Sequence, residues 1–256
     1  VNAALLAAAA VNGVEAVALA DRFRAAVPRP GRPADVEPHL PLGAPLEVIA
    51  VAGLRLADVL AHAAAEGLRL PTATPAGPDR LNGCLVAYRG QGLVFLDADL
   101  PADRRRWTAA HELGHWLAEY DRPRRRAVAR LGVGIAAVLD GDRPATADER
   151  LSGALAGLRP GPYWHLLRRE PDAPARAEAV RRAETAADRV ARELLAPGAA
   201  VAAEAAAAGI DPADASAWAG LLTERFGLPT GPAADYAARL ARAAAANRSF
   251  AAALGL

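Results

Sequence analysis

Apolar residues fall at helical spacing through most of the chain, interrupted by short runs of β type. Val1 to about Val27 reads as one Ala-rich helix, and Leu56–Gly67 as a second that ends at Gly67. Between them lie Pro28, Pro30, Pro33, Pro38, Pro41 and Pro45, which block regular structure before a short strand at Glu47–Val51. Leu70 to Asn82 reads as loop. Cys84–Tyr88 and Leu93–Leu96 flank Arg89-Gly90-Gln91-Gly92, a hairpin signal. Asp97–Pro101 is a turn, and Asp103 is the expected N-cap of a helix running to about Tyr120.

Residues 121–174 read as a helical insertion. Arg124–Leu139 is one expected helix. Thr146 and Glu149 form a capping-box pattern that opens a second, to about Leu158, and Pro162–Glu170 is a third. A long helix follows over Ala175–Ala196, stopped by Pro197-Gly198, and the tail is helical with breaks at Pro212, Gly227–Pro229 and Gly231-Pro232. The pattern therefore predicts an α+β, predominantly α-helical fold with a small antiparallel sheet. Its segments are an N-terminal helix and Pro-rich linker (1–46), a sheet with its following helix (47–120), the insertion (121–174) and the C-terminal helices (175–256).

Composition narrows the partners. The chain is 53% hydrophobic with a net charge of +1, so a core is expected, and no global field favours nucleic acid or a membrane surface. The Arg104–Arg106 and Arg124–Arg126 runs read as solvated helix faces. A single cysteine, Cys84, in an apolar run excludes an internal disulfide framework and is expected to be buried and inert. Ala18-Leu19-Ala20 has the look of a leader-peptide cleavage site, but no basic residue precedes the apolar stretch, so a helix is the better reading. No membrane span is expected, and the cytoplasm is the expected setting.

The chemistry concentrates in Trp107-Thr-Ala-Ala-His111-Glu112-Leu-Gly-His115-Trp116. Residues four apart share a helix face, so His111 and His115 can hold one ion, and Glu112, next to His111, can act as general base. Ala109, Leu113, Trp116, Leu117 and Tyr120 form a separate core stripe, which turns the histidines towards a cleft. Gly114 leaves room for another backbone or a ligand.

A catalytic zinc takes three protein ligands, and no third histidine follows until His165. On a helical wheel of Ala175–Ala196, Val180, Ala187, Ala191, Leu194 and Leu195 fall within about 80° of Glu184. Glu184 is thus an acid in the middle of an apolar stripe, with Asp188 about 40° away. Metal ligation by Glu184 resolves that burial, and Asp188 can then bond the free ring nitrogen of a ligand histidine. The other resolution is a salt bridge to Arg181 or Arg192. Glu119 and Glu178 are weaker ligand candidates. Glu178, Arg182, Arg189 and Glu193 fall on the opposite, wet face. Tyr163 and His165 are candidate oxyanion donors against a packing role for each. Two histidines and a carboxylate suit Zn2+, and Mn2+ as well.

At Arg106-Trp-Thr-Ala-Ala-His111-Glu112-Leu-Gly-His115 and Glu184-Thr-Ala-Ala-Asp188-Arg-Val-Ala-Arg-Glu-Leu194-Leu195-Ala-Pro197 the sequence resembles the ImmA/IrrE family of bacterial metallopeptidases. Ala217–Leu240 resembles the helical pair that follows in that family. The resemblance runs from Glu47 to Leu240 with the insertion as a gap. It differs in Asp188, where the family has Asn, in Val190, where it has Phe, and in the long stretch from His115 to Glu184. It implies a zincin-like core with His111, His115 and Glu184 as ligands and Glu112 catalytic. It further implies a protein substrate, in this family a helix-turn-helix repressor, often in stress response. A zincin holds substrate as an added strand, for which Leu93–Leu96 is the candidate. An active peptidase is the first reading, favoured by the intact Glu112. A non-cleaving repressor- or antitoxin-binding protein is the second, and a structural zinc protein the third.

Overall fold

A computed structural model describes residues 11–28, 31, 33–68, 80–156 and 174–253, with side chains of the last stretch described for 178–246. It is predominantly helical around one small sheet of three strands. Among the described residues, no helix is long and apolar enough to cross a membrane.

The chain divides into two compact units, one of residues 44–99 and 112–187, the other of residues 1–43, 100–111 and 188–256. The first holds the sheet. Strands β1 (Leu46–Val51), β2 (Gly83–Tyr88) and β3 (Gln91–Asp97) lie in the order β1-β3-β2, with β1 parallel and β2 antiparallel to β3. The expected antiparallel sheet is therefore a mixed one, because helix α2 (Leu56–Ala65) separates β1 from the β2–β3 hairpin and β1 pairs in parallel with the hairpin's second strand. Helix α2 buries Val59 and Ala63 with Leu54 against Val86, Leu93 and Phe95 of the sheet.

The hairpin closes at Arg89 and Gly90, between the paired residues Tyr88 and Gln91. Both turn residues have positive φ, 47° and 78°, the combination that follows the twist of the flanking strands. Strand β3 is central, so its backbone groups are engaged on both sides. Leu93–Leu96 consequently has no edge to offer a substrate strand, which corrects the expectation from sequence.

Helix α3 (Ala102–His115) starts one residue before Asp103, which lies in the first turn rather than at the cap. It stays α-helical only to His115. Trp116–Asp121 widens to π-type hydrogen bonding before α4 (Arg122–Leu131) continues the run. Trp116 packs where Gly92 of β3 leaves space, since a Cβ there would come within 2.9 Å of its ring. The expected single helix over Arg124–Leu139 is broken by Gly132 at φ 84°, and a short 3-10 turn and the one-turn helix Ala136–Leu139 follow. Helix α5 (Ala147–Leu155) opens with the Thr146–Glu149 capping box formed in both directions. Pro162–Glu170, with Tyr163 and His165, lies outside the described residues.

The second unit is helical. Its longer elements are α1 (Val14–Ala26), the N-terminal part of α3, the C-terminal part of α6 (Pro174–Leu195), α7 (Gly198–Ala207), α8 (Ala215–Phe226) and α9 (Thr230–Ala253). Helices α8 and α9 form a hairpin that turns at Gly227, in the left-handed region at φ 65°. They bury Trp218, Leu222, Tyr236 and Leu240. The arginine run at the start of α3 is not simply solvated. Arg105 grips both oxygens of Glu37 at 2.7 and 2.6 Å, and Arg106 donates to the carbonyl of Gly227 at 3.2 Å. The second run divides, with Arg124 held on Asp140 and Arg125 pairing with Asp121 at the surface.

Candidate metal centre

Helix α3 carries the histidines because its sequence places a full turn between them, and its second half, from Thr108 on, is mostly buried. Ala109, Leu113, Trp116, Leu117 and Tyr120 form the buried stripe read from the periodicity. On the opposite side Glu112 is 8% exposed and His115 2%, while the His111 side chain keeps 17%. The cover is helix α6. A Cβ built on Gly114 would lie 2.6 Å from the carbonyl oxygen of Ala187, so the two backbones cross in contact at this glycine.

His111, His115 and Glu184 form a group that could hold a metal ion. Each offers one ligand atom, and the three atoms lie within 4.8 Å of one another. Neither Glu119 nor Glu178 belongs to the group. Glu119 sits half-buried on the π-type segment, where burial raises its carboxyl pKa, and Glu178 pairs with Arg181 at the surface.

Asp188 lies one turn beyond Glu184, and its Oδ1 is 3.0 Å from Nδ1 of His111. A carboxylate only accepts, so the shared proton sits on Nδ1, and in the neutral ring Nε2 then carries the free lone pair. This is the tautomer that metal ligation requires, and it gives the donor set the chemistry of two imidazoles and one carboxylate. Arg192, a further turn along α6, donates to Oδ2 of the same Asp188 at 3.4 Å. Its spacing of four from Asp188 was the sequence signal for that pair.

The wheel misplaced Glu193. It is 4% exposed, accepts from the side chain of Asn12 at 2.9 Å and from the amide of Gly198 at 3.2 Å, and stands 3.8 Å from Arg24. Glu178, Arg182 and Arg189 of the side read as wet are exposed, but at the C-terminal end of α6 Glu193 is closed in with Asn12 and Tyr236. Cys84 is partly buried on β2. Burial, with the nearby charge of Glu112 second, pushes its thiol pKa up, which keeps it protonated and inert.

Residues 71–134 match the family model of the IrrE N-terminal-like domain. Over this segment the chain is similar to that domain. The match supports an ImmA/IrrE family metallopeptidase and covers the hairpin, helix α3 and its HExxH residues. It spans a quarter of the chain, and Glu184 and Asp188 lie beyond it. No curated protein and no solved structure matches the chain. The cluster of two histidines and a glutamate is compatible with a metal site alongside this IrrE-like segment.

Proposed function

We propose that this protein is a zinc-dependent endopeptidase that hydrolyses a peptide bond in a protein partner. The observation that carries this reading is the convergence of His111, His115 and Glu184 beside a Glu112 that the fold keeps almost wholly buried. His111, His115 and Glu184 are the ligands, and Asp188 fixes the ring of His111. Mn2+ suits the same donors.

When bound, the metal supplies Lewis acidity, activating a water and polarising the scissile carbonyl. Glu112 accepts the proton of the attacking water and returns it to the leaving amine. Packing of α6 over α3 keeps bulk water from this exchange and holds the ligands on two rigid helices. Substrate adds as a strand at the outer edge of β2, because β3 is occupied on both sides and Cys84 of β2 lies within the field of Glu112.

The choice of a helix-turn-helix repressor as substrate, cleaved in the cytoplasm during a stress response, follows from the resemblance in the two helical motifs. No direct nucleic-acid contact is needed for it.

The test is metal content and peptide hydrolysis for wild type, Glu184→Ala and Glu112→Gln. Wild type should hold about one equivalent of divalent metal. Glu184→Ala should lose the metal, and Glu112→Gln should keep it while losing hydrolysis by roughly 10²–10⁴-fold. A wild type that binds no divalent metal ends the peptidase reading. Hydrolysis undiminished in Glu112→Gln removes the base, and a metal-loaded protein that holds a repressor without cutting it leaves the binding reading.

A further inference from the structure

The guanidinium of Arg192 is buried to 2% exposure on helix α6. The anion that receives its hydrogen bond is Asp188, whose Oδ2 lies 3.4 Å from one terminal nitrogen. Its Cζ lies 5.9 Å from the centre of the Tyr236 ring. Among the described residues, its Nε and second terminal nitrogen have no hydrogen-bond partner. Burying a cation with so few acceptors is unfavourable, and Arg239 adds a like charge nearby that the more weakly felt Asp235 opposes. What the arrangement achieves is seen on the other side of Asp188, where Oδ1 faces Nδ1 of His111 at 3.0 Å.

We infer that Arg192 is a positioning residue for the metal centre: it pins one carboxylate oxygen of Asp188 so that the other fixes the tautomer and ring direction of His111. This rests on the metallopeptidase reading and extends it to a residue that touches neither metal nor substrate.

The physical argument turns on the two oxygens. A carboxylate has acceptors on both sides, so it can take the imidazole proton with one oxygen and the guanidinium with the other. An amide at 188 has one acceptor and one donor. Turned to satisfy His111, it presents its NH2 to Arg192, and two donors then face each other in a buried place. Arg192 and the carboxylate of Asp188 therefore act as a unit. Removing one strands the other, while removing both leaves a neutral pair. The rigid guanidinium, with its fork of donors, gives Asp188 a fixed direction that a flexible ammonium does not.

The experiment uses Co2+ as probe on the full chain, with affinity from competition against a chelator and the visible spectrum of the bound ion as second readout. Four proteins are compared: wild type, Arg192→Met, Asp188→Asn and the double variant. Arg192→Met should bind Co2+ roughly 10–100-fold more weakly, with a changed spectrum, while remaining folded. Asp188→Asn should also weaken binding, and the double variant should bind at least as tightly as Asp188→Asn alone.

If Arg192→Met does not fold, the comparison of Asp188→Asn with the double variant decides. Arg192→Met with wild-type affinity and spectrum overturns the inference, and so does a double variant markedly weaker than Asp188→Asn. Wild type failing to bind Co2+ at all is a separate result, because it ends the metallopeptidase reading and this inference with it.

Discussion

Gly114 lies directly against the peptide of Ala187, where an added Cβ would stand 2.6 Å from the carbonyl oxygen and 2.8 Å from Cα. The contact sets how closely the histidine helix and the acid helix cross. In an ordinary helix, replacing Gly by Ala stabilises by roughly 1 kcal/mol. Here the sign should reverse, because the obstruction is backbone and cannot rotate away. Gly114→Ala is expected to cost about 1–3 kcal/mol in denaturant unfolding and to weaken metal binding by separating His115 from Glu184. A variant more stable than wild type with metal binding intact would show that the helices do not depend on this approach.

Much of this arrangement was legible because it is local. The His111–His115 spacing, the core stripe from Ala109 to Tyr120 and the Thr146–Glu149 box need only one turn of helix to be read. Gly114 could be read as a close approach because a helix carries glycine there at a cost in propensity. Other features depend on what packs where. The central place of β3 follows from the parallel pairing of β1 with the hairpin's second strand, which no alternation within Leu93–Leu96 reveals. Glu193 looked wet because a wheel assumes one buried face, whereas at the C-terminal end of α6 it is closed in with Asn12 and Tyr236. The break at Gly132 was missed because the apolar spacing continues across it.

A hydrogen bond ties the hairpin to the π-type segment that follows the histidine helix. The amide of Gly90, in the turn, donates to the buried hydroxyl of Tyr120 at 2.7 Å. Burial raises the pKa of this phenol, so the hydroxyl stays protonated and neutral. Tyr120→Phe keeps the ring that packs on Trp116 and removes only the oxygen. A loss of about 1 kcal/mol is expected, with faster hydrogen exchange at the Gly90 amide. Unchanged exchange at that amide would show that the turn is held by other contacts.

Glu149 gives a pH test with a defined sign. Arg143 contacts both of its oxygens at 2.6 and 2.8 Å, the Thr146 amide donates to it, and its pKa is lowered to about 2. A folded pKa below the unfolded one contributes stability that is complete above the ordinary Glu value of 4.5. That stability is lost as pH falls from there through about 2. The difference in Tm between wild type and Glu149→Gln should therefore be steady from neutral pH to mild acid and shrink towards pH 2. A difference unchanged down to that pH would mean that the carboxylate charge is not what Arg143 holds.

Glu193 should behave in the opposite sense. Burial raises its pKa, outweighing the hydrogen bonds from Asn12 and Gly198 and the charge of Arg24. A raised folded pKa means that the protonated form suits the fold. This contribution is present below the unfolded pKa and is lost as pH rises through the folded one. At neutral pH the charged carboxylate is therefore a burden on the helical unit. Glu193→Gln keeps a carbonyl oxygen for Asn12 and Gly198, both of which donate to the same atom, Oε2, and removes the charge. Its Tm should exceed that of wild type at neutral pH, with the advantage shrinking as acid protonates Glu193. A Tm below wild type at neutral pH would reverse this account and make the Arg24 contact, 3.8 Å away, the dominant effect at this position.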